Sequence, residues 1–181
     1  MVSVPLTDAG GESADGDRHG YSKGRRRDEP NFEALPDSVP PQNVEAEEAV
    51  LGGILLDPDA IGRVADVLQP EAFYLGAHRE IFRTAVMLHS QGKPTDLTAM
   101  TAWLADTGAL EKVGGSSRLV ELVERVASTA SIEQVARLVM DKFLRRQLIR
   151  SGNEVIQLGF DQSLPMEQVL DQADQKSFAI S

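Results

Sequence analysis

Pro40-Pro41-Gln42-Asn43-Val44-Glu45-Ala46-Glu47-Glu48-Ala49-Val50-Leu51-Gly52-Gly53-Ile54-Leu55-Leu56-Asp57 separates two kinds of sequence. Asn43 is a good helix N-cap, and Glu45 in the first turn favours the helix dipole. Val44, Val50, Leu51, Ile54 and Leu55 then supply an apolar stripe at helical spacing. Gly52-Gly53 inside that stripe costs about 1 kcal/mol per Gly against Ala, a cost that close helix packing would rationalise. Before Pro40 the chain is rich in Gly, Asp, Ser, Arg and Pro. It holds too little apolar surface to offset its ordering entropy, so residues 1–40 are expected to be a disordered tail.

After Asp57 the helical pattern continues. Asp57-Pro58 predicts a stop and a restart, with Asp57 capping and Pro58 at the first helical position. Ile61, Val64, Ala65 and Leu68 form the next stripe, which Pro70 closes. Phe73 and Tyr74 are expected to plug the core from a short turn. A helix from about Ala77 to Gln91 carries Ile81, Phe82, Ala85 and Leu88 on one face. Asp96 caps a helix with Leu97, Met100, Trp103 and Leu104, ending at Gly108. Val113-Gly114-Gly115 reads as a turn, and Ser116 or Ser117 opens a helix with Leu119, Leu122, Val123 and Val126. No sustained run alternates as a strand would, so the expected class is all-α.

The last third differs. Ser131-Ile132-Glu133-Gln134 has capping-box spacing. From there to about Leu158 there is no Pro, and Gly152 is the only Gly. Gly159 to Pro165 is a break, and a second helix follows to about Phe178 with Met166, Val169, Leu170 and Ala173 on one side. Two helices joined by a short loop make an antiparallel hairpin. The expected organisation is therefore a tail at 1–40, a helical head at 41–128 and a long hairpin at 129–181. A hairpin projecting from a head has little core of its own and usually buries its stripe in a partner. The candidates for such packing are Ile132, Val135, Val139, Phe143, Ile149, Val169 and Leu170, between two hairpins, against another protein or within one hairpin.

Composition narrows the chemistry. The 181 residues carry 28 acids and 18 bases, a net charge of −10, with no cysteine. That excludes disulfides and thiolate metal sites. An acidic chain with nine aromatic residues suits neither autonomous DNA binding nor base stacking. The only Lys followed by Ser or Thr is Lys176-Ser177, preceded by Gln175, so no P-loop is present. His19, His78 and His89 lack metal-ligand spacing, and no G-x-S-x-G nucleophile motif occurs. No catalytic, cofactor-binding or metal residue is expected. Glu45, Glu47 and Glu48 read as an acidic first turn of a helix. Lys142, Arg145, Arg146 and Arg150 form a basic stripe on the long helix, and Arg25-Arg26-Arg27 a second basic run. Both read more simply as solvated charge than as a DNA contact. With no signal peptide and no apolar run of about 18 residues, a soluble cytoplasmic chain is expected.

Several landmarks recur in a familiar order. Pro40-Pro41, Glu45-Ala46-Glu47 and Val50-Leu51-Gly52 are followed by Phe73-Tyr74, His78-Arg79 and Ile81-Phe82. Gly92-Lys93-Pro94 with Asp96-Leu97, then Val113-Gly114-Gly115, and finally Ala173 to Ile180, complete the series. Over most of Pro40 to Ser181 the chain resembles the N-terminal domain of bacterial replicative DNA helicases of the DnaB family. The resemblance implies a helical head plus hairpin, with hairpins pairing between subunits in a dimer and then a hexameric ring. It also implies docking of the primase C-terminal domain, and admits a helicase loader as a further partner. ATP, magnesium and most DNA contact would belong to a C-terminal domain that this chain lacks, which makes it a truncated part of a longer protein. The alternative reading is a helical single-stranded nucleic-acid-binding domain using the two basic runs. A third reading, a helical regulator like the primase domain that helicases bind, sits poorly with the motif order from Glu45 to Gly115.

Overall fold

Asn43 starts the fold as its side chain predicts: Oδ1 accepts the Ala46 N–H at 3.0 Å, at the head of α1 (Val44–Leu56). The computed structural model describes residues 39–126 and 131–178. The expected tail lies outside them except for Val39 and Pro40, as do Arg25-Arg26-Arg27 and Ile180. Among the described residues the architecture is all-helical, with seven α-helices, two 3-10 turns and no strand.

Helix α1 is central because its apolar residues face several neighbours. It packs on α3 (Gly76–Ser90), α5 (Gly115–Glu124) and α6 (Ile132–Phe160), and buries Val50, Leu51, Ile54 and Leu55. Gly52 lets α5 come close: a Cβ there would stand 2.1 Å from the Leu122 carbonyl oxygen and 2.5 Å from Val126 Cγ2. Close packing thus accounts for the glycine that helix propensity disfavours.

Beyond α1, Asp57 ends the helix and makes a turn, with Oδ1 accepting the Asp59 N–H at 3.1 Å. Pro58 lies in that turn rather than at the first helical position, and α2 is short (Ala60–Val64). Pro70 opens a 3-10 turn (Pro70–Ala72). Phe73 is buried behind it and stacks on Phe82 with ring centroids 4.9 Å apart. Such a pair adds about 0.5–1.5 kcal/mol beyond burial. Tyr74 stays half-buried, so only one of the two expected plugs enters the core. Helix α3 buries the expected face, Ile81, Phe82, Ala85 and Leu88, and His78 and Thr84 with it.

Asp96 caps α4 (Leu97–Asp106) by accepting the Thr98 and Ala99 N–H groups at 2.9 and 3.1 Å. Gly114, at φ 100°, is the N-cap of α5. That left-handed backbone suits glycine, and neither Ser116 nor Ser117 opens the helix. Ser131 occupies the N-cap of α6 without a side-chain bond, so the capping box does not form there. Its carbonyl accepts the Gln134 and Val135 N–H groups instead.

Helix α6 has 29 residues, about 43 Å at ~1.5 Å per residue. Its first half is part of the head, burying Ile132, Ala136, Val139 and Phe143 against the core. The head–hairpin boundary therefore falls inside α6, past the expected start at 129. Helix α7 (Met166–Phe178) returns along the second half. Ser151 Oγ donates to the Lys176 carbonyl at 2.9 Å, and Lys176 Nζ pairs with Glu154 at 2.5 Å. No helix among the described residues is long and apolar enough to cross a membrane.

Candidate assembly surface

A buried polar knot fixes the head on which the hairpin stands. Glu47 points inward from α1 and accepts the Tyr74 N–H at 2.6 Å and the Leu75 N–H at 3.5 Å, at the entry to α3. Its Oε2 lies 2.9 Å from His78 Nδ1. With the Nδ1 proton directed at Glu47, His78 Nε2 is left to accept from Arg118 Nη2 at 3.5 Å. Glu48 receives Arg118 and Arg125 from α5 and its end. Burial alone would raise the Glu48 carboxyl. The hydrogen bonds and charges of Arg118 and Arg125 outweigh it and hold the group below the usual carboxylate range. Arg79 donates to the Phe73 and Tyr74 carbonyls at 3.1 and 3.2 Å. Glu47 lies in the acidic first turn of α1 as expected, and it and Glu48 also anchor that helix to α3 and α5. The pairing of these two glutamates with residues 27 to 77 positions away left no local trace in the sequence.

The basic stripe is mostly neutralised by its own helix. Lys142 and Arg145 pair with Asp141, and Arg150 with Glu154. Arg146 differs. It donates to the Pro41 carbonyl at 2.8 Å and the Ala72 carbonyl at 2.6 Å. Its guanidinium carbon lies 5.6 Å from the Tyr74 ring centroid and 5.8 Å from that of Phe143. Burial pushes this guanidinium below its ordinary pKa, with the Glu47 charge opposing the shift. The stripe is therefore not one solvated face. One member is turned into the head and the other three are ion-paired.

The hairpin beyond Arg146 has the opposite character. No α6 residue after Phe143 is buried. Leu144, Leu148, Ile149 and Ile156 on α6, with Met166 and Leu170 on α7, are exposed by 43–69%. Leu148 and Ile149 sit on neighbouring faces, Ile156 one heptad beyond Ile149. Large apolar side chains exposed together along one element make a candidate interaction surface.

The seven residues expected at an interface divide accordingly. Ile132, Val139 and Phe143 are buried in the chain's own core, and Val135 packs partly buried against it. These four tie α6 to the head. Val169 is half-buried on α7. Ile149 and Leu170 are exposed on the free hairpin. Leu144, Leu148, Ile156 and Met166 were not in the set, because helical spacing identifies a stripe without saying which neighbour covers it. Lys176-Ser177 lies within α7, with Lys176 held by Glu154 and the Ser177 hydroxyl donating to the Ala173 carbonyl. This pair makes no phosphate cradle.

The described geometry agrees with comparisons to known proteins. The family described as DnaB-like helicase N terminal domain matches residues 39–141. A replicative DNA helicase DnaB from Nostoc sp. is 55% identical over 143 residues, covering 79% of this chain and 16% of that protein. The Geobacillus stearothermophilus DnaB helicase is 40% identical over 149 residues, covering 82% of this chain and 33% of that one. This chain thus spans a third or less of those relatives. The crystal structure of the N-terminal domain of DnaB helicase from Mycobacterium tuberculosis superposes with a TM-score of 0.75 at 34% identity, covering 78% of this chain and 99% of that one. A structure of a DnaB-like replicative helicase and its interactions with primase gives a TM-score of 0.66 at 30% identity, covering 77% and 32%.

Proposed function

The chain belongs to the DnaB-like helicase N-terminal domain family, and from that premise we propose that it is a non-catalytic assembly and docking domain of a replicative DNA helicase. In this reading its hairpins pair between copies, dimers build a hexameric ring, and the resulting collar docks the C-terminal domain of primase. The observation that carries the reading is the hairpin beyond Arg146, where Leu148, Ile149, Ile156, Met166 and Leu170 are exposed among the described residues. Support for the primase role comes from the likeness to a helicase whose solved structure concerns primase interactions. A helicase loader is a further candidate partner.

Unwinding, ATP and magnesium belong to another part of the parent protein in this account, and its setting is the cytoplasm. The residues of this chain supply packing and docking. Direct DNA binding through the α6 stripe is disfavoured, because three of its four cations are ion-paired and the fourth is bonded to backbone carbonyls. Sedimentation of the chain with and without a primase C-terminal fragment tests both contacts. A faster boundary for the mixture than for either component is expected. Components that sediment independently at tens of micromolar would remove the docking role.

A further inference from the structure

We propose that Arg146 is the pin that sets the angle at which the hairpin leaves the head, a positioning residue for the exposed surface beyond it. Three observations converge on this residue. It lies one turn past Phe143, the last α6 residue buried against the head. It reaches two separate pieces of backbone at once: Pro41, on the chain entering α1, and Ala72, at the end of the 3-10 turn. It is also the one member of the Lys142, Arg145, Arg146, Arg150 stripe with no acidic partner among the described residues.

An ion pair between flexible side chains tolerates sliding, whereas a planar guanidinium making two directed bonds does not. The Tyr74 and Phe143 rings restrict the same guanidinium further. The apolar contacts of Ile132, Ala136, Val139 and Phe143 hold α6 on the head. That packing sets the axis of α6 up to Phe143, and the unbroken helix carries the direction onward, so the freedom left past Phe143 is bending of the helix. Arg146 closes that freedom, and with it fixes where Leu148, Ile149 and Ile156 stand relative to the head. The use of that surface in assembly rests on the function proposed above; the pinning does not.

Because the chain has no cysteine, two can be placed cleanly for spin labels. Asp106→Cys on the head and Gln162→Cys at the hairpin turn are both exposed. The labelled chain, diluted in excess unlabelled chain, is measured by pulsed dipolar spectroscopy. The Arg146 chain is expected to give one narrow distance. Arg146→Gln is expected to lose it for a broad distribution while far-UV circular dichroism stays helical. Arg146→Lys, which keeps the charge without the fork, is expected to broaden partly. A narrow distance retained in a folded Arg146→Gln chain would overturn the proposal. If that variant does not fold, a narrow distance in Arg146→Lys overturns it equally. A chain that is monomeric at every concentration, yet broadens on Arg146→Gln, would remove the assembly function and leave the pin standing.

Discussion

Glu47 and His78, 31 positions apart, meet at 2.9 Å between Oε2 and Nδ1, with each side chain 2% exposed. The contact joins α1 to α3 and leaves Glu47 free to accept the Tyr74 N–H as well. Removing one partner leaves the other buried without its bond. Glu47→Ala leaves the His78 ring N–H and the Tyr74 N–H without their acceptor and is expected to cost at least about 1–3 kcal/mol, and Glu47→Gln less because an amide oxygen still accepts. Urea unfolding followed by circular dichroism reads both. A loss below about 0.5 kcal/mol for Glu47→Ala, the size of an ordinary surface change, would refute the anchoring role.

Glu48 gives the fold an acid sensitivity of known sign. Its folded pKa is depressed, the pairing with Arg118 and Arg125 outweighing burial. The stabilisation it provides is present above the ordinary Glu value of about 4.3. It is lost as pH falls through the lower folded value. Asp141, Glu154 and Asp161 are shifted in the same direction but lie at the surface. Glu48→Gln is expected to lower stability at pH 7 and to flatten its decline between pH 5 and pH 3. Melting curves across that range check it. Parallel wild-type and variant profiles would contradict the assignment.

Much of the fold was legible because its signals are local. Asn43 and Asp96 cap through their own neighbours, the face of α3 repeats within four turns, and the chain turns at 161–165, inside the expected Gly159 to Pro165 break, with Gly159 still in α6. What the residues hid was non-local. Glu47 and Glu48 look like ordinary acidic residues in a first turn until α3 and α5 fold over them. Arg146 looks like its neighbours Arg145 and Lys142 until Pro41 and Ala72 are brought to it. The seven candidate residues divide for the same reason: Ile149 and Leu170 are exposed, whereas Ile132, Val139 and Phe143 share their spacing but face the head. Ser116, Ser117 and Ser131 carried a plausible capping signal, yet Gly114 caps α5 and no side-chain bond caps α6.

Two glycines should respond in opposite directions to the same change. Alanine improves helix propensity by about 1 kcal/mol at both Gly52 and Gly152. At Gly152 a Cβ meets nothing within 4 Å, so Gly152→Ala is expected to stabilise by about 0.5–1 kcal/mol. At Gly52 the Leu122 backbone stands in the way, and overpacking of about 1–3 kcal/mol overrides the propensity gain. Gly52→Ala should therefore lower the melting temperature and Gly152→Ala raise it. A higher melting temperature for Gly52→Ala would show that α1 and α5 are not in close contact.

Phe143 and Leu148 separate folding from association. Phe143 is 7% exposed and Leu148 62%. Phe143→Asp removes a core side chain and buries a charge, so a loss of about 3–5 kcal/mol or more is expected. Leu148→Asp should change the stability of the single chain by about 0.5 kcal/mol or less, while weakening self-association. Chemical denaturation at low concentration, paired with sedimentation at high concentration, distinguishes the two. An equal loss of stability in both variants would contradict the division of α6 into a head segment and a free segment.

The most direct measurement is the mass of the intact chain in solution by sedimentation equilibrium from low to high micromolar concentration. A weight-average mass that rises from the 19.6 kDa monomer toward the dimer or beyond, and stays nearer the monomer in Leu148→Asp, is the expected result. A strict monomer at high micromolar concentration would contradict the claim that the exposed hairpin is an assembly surface.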